Sequence, residues 1–131
     1  MNRFASSFAY PVVCLSSLLS FESSAADECD LDNGASVFQC AACHRYVPTN
    51  LDKSGPNLHG LYGRKSGTLA TYRAGYSDAM INAGILWDED TLDDFLANPG
   101  KYVASTAMVF LGVRNGKDRS DLICFLKAAT N

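Results

Sequence analysis

The sequence predicts a single all-α domain, and three observations support this expectation. Short helical signals occur at residues 34–43, 76–82, 88–97 and 118–129, each bounded by capping or breaking residues. No stretch alternates apolar and polar residues over the length of a strand. The chain of 131 residues also has a length that suits a single domain.

Each predicted helix has its own local signal. Asp32 and Asn33 are suitable N-caps for the first helix, which is expected to end near His44. Residues 76–82 form a weaker second segment. Acidic residues open the third, where they suit the helix dipole, and Asn98-Pro99 should end it. The last helix places apolar side chains at helical spacing, namely Leu122, Ile123, Phe125 and Leu126.

The segments between these helices are long. Residues 45–75 contain recurring glycines and prolines and no sustained periodicity, and a second loop covers residues 100–116. Loops of this length are unusual inside a compact domain of this size. The helices also offer little apolar surface, so the domain is expected to need a disulfide, a metal or a cofactor to hold it together.

Composition and charge exclude several classes. The chain is 47% hydrophobic and 19% charged, which is ordinary for a globular protein and excludes collagen-like, coiled-coil and disordered chains. Eleven basic residues against fourteen acidic ones give a net charge of −3. The chain is therefore no polycation, and we expect no nucleic-acid partner.

The N-terminus has the layout of a secretory signal peptide. Residues 4–21 carry no charge, Arg3 precedes them, and small residues follow up to Ala26. The sequence therefore predicts a cleaved signal at 1–26 and an exported domain at 27–131. An uncleaved membrane anchor is the alternative, although Pro11 and several serines interrupt the apolar run. Export would place Cys29 and Cys124 in an oxidising compartment.

The most specific motif is Cys40-Ala41-Ala42-Cys43-His44, a CxxCH sequence. Two thiols at this spacing can bond two vinyl groups of one porphyrin, while the adjacent histidine reaches the iron. A redox dithiol would need a βαβ context, which the sequence lacks. A zinc site would need a second ligand pair, and the only other histidine, His59, has no cysteine near it.

The sequence resembles class I cytochrome c of the mitochondrial and bacterial cytochrome c2 type. The resemblance covers residues 34–130 and is carried by the CxxCH motif and by the segments 55–67, 76–80, 84–87, 96–99, 106–110 and 118–123. It implies a class I cytochrome c fold, in which N- and C-terminal helices cross and loops wrap around one covalently attached haem c. It also implies an electron carrier and not an enzyme.

The resemblance implies a role for particular residues. His44 and Met108 would ligate the iron, and Pro56 would offer its carbonyl oxygen to His44. Four residues match positions that bond the haem propionates, namely Arg64, Tyr76, Trp87 and Thr106. Phe110, with Leu58, Leu96 and Leu122, would wall the porphyrin. Gly34 and Phe38 would cross the C-terminal helix near Leu122 and Phe125.

With both axial positions filled, the protein is expected to be a diffusible, monomeric carrier of single electrons. The periplasm is the expected compartment, with the mitochondrial intermembrane space less favoured. A bc1-type complex, a terminal oxidase, a photosynthetic reaction centre or a periplasmic dehydrogenase or reductase would be the partner. The alternatives are a membrane-tethered carrier, if residues 4–21 stay attached, and a gas-binding or peroxidase-like protein, if Met108 does not ligate.

Three features depart from the family pattern. Phe95 stands where a tyrosine usually lies beside the methionine sulfur, so we expect that hydrogen bond to be missing. Ala104-Ser105 replaces a Pro-Gly pair before the ligand loop. Cys29 precedes the first predicted helix and Cys124 lies within the last. Because these helices pack together in the family, the two cysteines either form a disulfide or remain as two thiols.

Overall fold

The computed structural model describes residues 29–72 and 74–131. The predicted signal segment, residues 1–26, lies outside this part. In chain order the elements are α1 (Leu31–Val37), a short 3-10 helix (Gln39–Ala42), α2 (Asp78–Ala83), α3 (Glu89–Ala97), α4 (Pro99–Tyr102) and α5 (Gly116–Thr130). Within the described residues there is no strand, only an isolated bridge between Lys65 and Leu86. The all-α prediction is confirmed.

The first helix begins earlier than predicted and is shorter. Its N-cap is Asp30, whose carboxylate accepts a hydrogen bond from the Asn33 backbone N–H at 2.9 Å. The choice of Asp32 and Asn33 as N-caps is therefore wrong. The α-helix ends at Val37 because Phe38 adopts a non-helical ψ of 76°, and the chain continues as the 3-10 helix. Residues 34–43 are thus two short helices and not one.

Gly34 allows α1 to cross α5 at close range. A Cβ atom placed on Gly34 would lie 2.2 Å from the backbone oxygen of Asp121 and 2.8 Å from the Cβ of Phe125. No larger side chain fits there without moving one of the helices. Phe38 continues the contact, with its ring centroid 5.3 Å from that of Phe125. The predicted crossing of the first and last helices is confirmed.

A buried carboxylate joins the same two helices. Asp121 is only 1% exposed, and it accepts hydrogen bonds from the Asp30 backbone N–H at 3.1 Å and the Asn33 side chain at 2.8 Å. Lys117, one turn earlier on α5, donates to it at 2.5 Å. Because these partners satisfy its charge and its lone pairs, the carboxylate can be buried.

The two described cysteines outside the CxxCH motif are bonded to each other. Cys29 and Cys124 form a disulfide, with their Cα atoms 6.1 Å apart. The bond connects the residue just before the N-cap of α1 to the middle of α5. It therefore covalently fastens the helix crossing that Gly34 permits.

The third predicted helix is nearly as expected, but the loop after it contains another helix. Asp88 caps α3 and Thr91 completes a capping box, so the helix covers Glu89–Ala97. Asn98 then caps α4, whose first residue is Pro99. The expectation that residues 100–116 form only a loop is therefore wrong at its start, because proline suits the first position of a helix. The guanidinium of Arg119 in α5 donates to the two carboxylate oxygens of Asp93 in α3, at 2.7 and 3.0 Å, and so connects the two helices.

The last helix is two residues longer at its start and one longer at its end than predicted, with Asn115 as its N-cap. Its buried residues include Leu122, Ile123 and Leu126. Phe125 is partly buried. Among the described residues, no helix has the length and apolar character needed to cross a membrane.

Candidate functional site

A cavity of about 440 Å³ lies between the 3-10 helix, the loop of residues 54–76, helices α2 and α3, and the segment before α5. Its walls are mostly apolar. The structure brings to this cavity every cofactor-binding residue that the sequence predicted, namely Cys40, Cys43, His44, Pro56, Arg64, Tyr76, Trp87, Thr106, Met108 and Phe110. Residues from five separate stretches of chain therefore meet at one site.

The CxxCH motif forms a tight turn at one wall. The backbone N–H groups of Cys43 and His44 both donate to the Cys40 carbonyl oxygen, at 3.0 and 2.8 Å. Cys40 belongs to the 3-10 helix and Cys43 caps it, so the motif lies at the end of a 3-10 helix and not on a continuous α-helix. Both side chains nonetheless line the cavity, and neither is in a disulfide.

The environment of Cys40 argues against a redox dithiol. Burial raises the pKa of the Cys40 thiol to about 11. Reactive cysteines in CxxC redox motifs have a lowered pKa, because the thiolate is the attacking species. Cys40 therefore lacks the lowered pKa of a reactive redox cysteine.

His44 is held in one orientation by the loop that follows it. Its Nδ1 lies 2.7 Å from the carbonyl oxygen of Pro56. Since a carbonyl only accepts, Nδ1 carries the proton and Nε2 is left with its lone pair. Gly55 packs against the ring, and a Cβ on it would lie 2.4 Å from the imidazole. Burial lowers the pKa of His44, which favours the neutral ring that binds metals.

The polar end of the cavity contains Arg64 and Tyr76. The Arg64 guanidinium donates to the backbone oxygens of Asn57 at 2.9 Å and His59 at 3.2 Å, which fixes its position. The pKa of Tyr76 is raised overall, because the effect of burial exceeds the opposing effect of the nearby Arg64. The hydroxyl therefore stays protonated and can donate. A fixed cation and a phenol suit an anionic group such as a carboxylate.

Met108 comes from the segment that connects α4 to α5. Its backbone N–H donates to the Thr106 hydroxyl at 3.3 Å, and the Thr106 N–H donates to the Val103 carbonyl oxygen at 3.1 Å. This turn places Ser105 in the left-handed region, with φ of 68°. Ser105 stands where the family has glycine. The turn therefore keeps a backbone conformation that favours glycine, although Ala104-Ser105 replaces the Pro-Gly pair.

Several side chains line the cavity without having been predicted to bind the cofactor, among them Leu61, Tyr72, Met80 and Leu92. Met80 is 8% exposed and faces the cavity from α2. Because α2 has only six residues, the sequence around Met80 shows no helical periodicity that would predict its place in the cavity. Phe95 lines the cavity as expected from its place in the family pattern, and its ring centroid lies 5.0 Å from that of Trp87.

Not every predicted wall residue lies in the wall. Leu58, Leu96 and Phe110 line the cavity, but Leu122 is fully buried and is not among the lining residues. Leu122 is instead a buried residue of the apolar core on α5. Leu126, one turn further along α5, lines the cavity instead.

These residues fit a haem group. Two unpaired thiols, an imidazole with a free Nε2 and a thioether supply two attachment points and two soft or borderline iron ligands. Apolar side chains surround them, and a polar end can receive carboxylates. The class that this all-α fold and cavity define is a haem protein of the c type.

Comparison with known proteins agrees with this class of haem protein. Cytochrome c of Gibberella zeae is 46% identical over 103 residues, covering 77% of this chain and 95% of the relative. Cytochrome c of Arabidopsis thaliana is 47% identical over 103 residues, covering 77% and 90%. No family model matches the chain. The chain belongs to the cytochrome c family, whose members are electron carriers, not enzymes, and hold one covalently attached haem c.

Proposed function

We propose that Cys40 and Cys43 hold the haem by thioether bonds and that His44 and Met108 are its two iron ligands. The observation that carries this proposal is the meeting of these side chains in one apolar cavity, although Met108 lies 64 residues after His44 in the chain. Bound there, the haem supplies a one-electron couple. If His44 and Met108 hold the iron, no position would remain for a substrate, so the site supports electron transfer and not substrate chemistry.

The protein's part in this reaction is to fix the ligands and exclude water. Pro56 keeps Nδ1 of His44 protonated and increases the donor strength of Nε2, as such partners do in metal sites. The thioether of Met108 is a soft ligand that would favour ferrous iron over ferric iron and so would raise the potential of a bound haem. Trp87, Phe95 and Leu96 are each less than 8% exposed and line the cavity, so they keep water from this region.

Arg64, Tyr76, Trp87 and Thr106 are proposed to receive the propionates. Support comes from the Arg64 guanidinium, which bonds only two backbone oxygens among its described partners and has further N–H donors at the cavity. Its charge would offset that of a buried carboxylate, and the Tyr76 hydroxyl would donate to the same group.

The compartment and the partners are also proposals. Relatives from fungi and a plant do not support the periplasm that the sequence suggested, and they favour the intermembrane space of mitochondria. The Cys29–Cys124 disulfide is consistent with an oxidising compartment outside the cytosol. We propose a bc1-type complex as electron donor and a terminal oxidase as acceptor, and removal of the N-terminal segment, residues 1–26, as the protein reaches its compartment.

The intact mass of the purified protein tests the haem attachment and the removal of residues 1–26 together. The wild type should carry the mass of one haem after denaturation, and the Cys40→Ser/Cys43→Ser variant should carry none. Cys29→Ser/Cys124→Ser is the matched control and should keep the haem. A haem retained without Cys40 and Cys43 would overturn the attachment. The same mass reports whether cleavage occurs after Ala26 or the N-terminal segment remains.

A further inference from the structure

The dipeptide Asn-Gly occurs twice in the chain, each time at the start of a helix. Asn33-Gly34 lies in the first turns of α1, and Asn115-Gly116 opens α5. This dipeptide can modify itself, because glycine has no Cβ atom and lets its own backbone nitrogen approach the preceding side chain. Asparagine is accordingly a thermolabile residue.

The reaction needs only water as a co-reactant. The glycine nitrogen gives up its proton to solvent and attacks the side-chain carbonyl carbon of asparagine, so a C–N bond forms and ammonia leaves. Water then opens the resulting cyclic imide at either carbonyl. The products are aspartate and isoaspartate, the isomer whose main chain runs through the side chain, and no electrons are exchanged. The fold decides whether the glycine nitrogen is free to reach the side chain.

The fold holds Asn33-Gly34 in an unreactive arrangement. The Gly34 N–H donates to the Asp30 carbonyl oxygen at 2.9 Å, and Gly34 is buried. The side-chain amide of Asn33 donates to the carboxylates of Asp118 at 3.1 Å and Asp121 at 2.8 Å. Because both reacting groups are engaged with other parts of the chain, neither can turn towards the other.

Asn115-Gly116 lacks these restraints. Both residues are exposed, and the space around Gly116 is open. As the first residue of α5, Gly116 has an N–H without a partner inside the helix, and no residue in the described part of the chain accepts from it. The Asn115 side chain is held by one hydrogen bond, which its amide oxygen accepts from the Asp118 N–H at 3.1 Å.

We propose that Asn115-Gly116 is a site of spontaneous covalent modification, where water converts the Asn115 amide to aspartate or isoaspartate, while the fold protects the identical pair at Asn33-Gly34. This inference goes beyond the proposed function and does not depend on it. Aspartate keeps the N-cap and adds negative charge at the positive end of α5, which stabilises the helix. Isoaspartate lengthens the main chain at the N-cap and displaces the carbonyl oxygen that accepts from the Arg119 N–H.

Peptide mapping of the holoprotein during incubation in warm neutral buffer tests the site. The peptide with Asn115 should show the mass change of NH2 replaced by OH at least ~10-fold faster than the peptide with Asn33. In urea the two rates should agree within about 3-fold, because neither pair is folded. Incubation continues until both peptides have reacted in urea. Equal rates in the folded protein, or reaction of Asn115 only in urea, would overturn the proposal.

Two variants test the chemistry. Gly116→Ala is compatible with the fold, because the space around Gly116 is open and its φ is not positive. The added Cβ hinders ring closure, so this variant should react about 10-fold more slowly or less. Asn115→Ser keeps a capping hydroxyl but has no amide, so residue 115 should not react. Gly116→Ala reacting as fast as the wild type would overturn the cyclic route.

Urea unfolding of the aged forms tests the effect on α5. Anion exchange separates the products, since each gains one negative charge. The isoaspartate form should unfold at a lower urea concentration than unaged protein. Asn115→Asp reproduces the other product and should unfold at the same concentration as the wild type or a higher one. An isoaspartate form as stable as unaged protein would overturn the claim that the modification weakens the start of α5.

Discussion

The disulfide between Cys29 and Cys124 joins the start of α1 to the middle of α5, with Cα atoms 6.1 Å apart and a sequence separation of 95. It spans the same helix pair that Gly34 brings into contact. Because the bond closes nearly the whole domain into one loop, it restricts the unfolded chain more than a local bridge would.

Removing this bond should therefore lower stability strongly. We expect the Cys29→Ala/Cys124→Ala variant to lose roughly 2–5 kcal/mol in the free energy of unfolding by urea. Wild-type holoprotein treated with a thiol reductant should approach the variant, because thioether bonds to the haem survive reduction. Equal stability of the oxidised wild type and the variant would contradict this. The unfolded, unreduced holoprotein without residues 1–26 should also show no reactive thiol.

Ser105 is a site where a substitution should stabilise the protein. It is the only described residue other than glycine with a positive φ, at 68°, a region that costs a side chain about 1 kcal/mol or more. Ser105→Gly should therefore raise the free energy of unfolding by about 1 kcal/mol. Ser105→Ala keeps the Cβ atom and should bring no gain. A stabilising Ser105→Ala would mean that the serine hydroxyl, not the backbone, is unfavourable.

The carboxylate of Asp121 should make stability depend on acid pH. Lys117 and Asn33 are the main donors that hold its pKa at about 2, below the ordinary value of about 3.9. Because the pKa is lowered in the folded state, the carboxylate stabilises the fold at pH values above its ordinary pKa. This contribution is lost as the pH falls towards 2. Unfolding midpoints measured from pH 5 to 2 should fall less steeply for Asp121→Asn than for the wild type. Asp90→Asn, at an exposed position on α3, should follow the wild type.

Phe95 is expected to leave the sulfur of Met108 without a hydrogen bond. It is 6% exposed and lines the cavity. Phe95→Tyr adds a donor there, which would withdraw electron density from the sulfur and disfavour ferric iron, so the midpoint potential should rise. Phe38→Tyr, outside the cavity lining, is the control and should leave the potential unchanged. An unchanged potential in Phe95→Tyr would refute the missing hydrogen bond.

The site could be predicted more fully than the helices around it. Cys40, Cys43 and His44 are adjacent in sequence, so their chemistry was visible from their spacing alone. The positions of Pro56, Arg64 and Met108 depended on the resemblance to the family, since nothing local in the sequence connects them to the motif.

The boundaries of the helices were harder because tertiary contacts decide them. Asp30 is the N-cap of α1, and its backbone also bonds Asp121, a partner 91 residues away that no local pattern reveals. Asn98-Pro99 is ambiguous by itself, since the pair can end one helix and begin another, and here it does both. Met80 and Tyr72 were missed as cavity residues because the folding of the loop, not periodicity, brings them there.

Ligation of the iron by Met108 is the central claim, and the far-red absorption band of the ferric protein that reports methionine sulfur on iron tests it most directly. Met108 and Met80 both line the cavity, so they form a matched pair. The wild type and Met80→Ala should show the band, and Met108→Ala should lack it and bind added small ligands such as azide. A band that survives in Met108→Ala, or one that disappears only in Met80→Ala, would contradict the assignment.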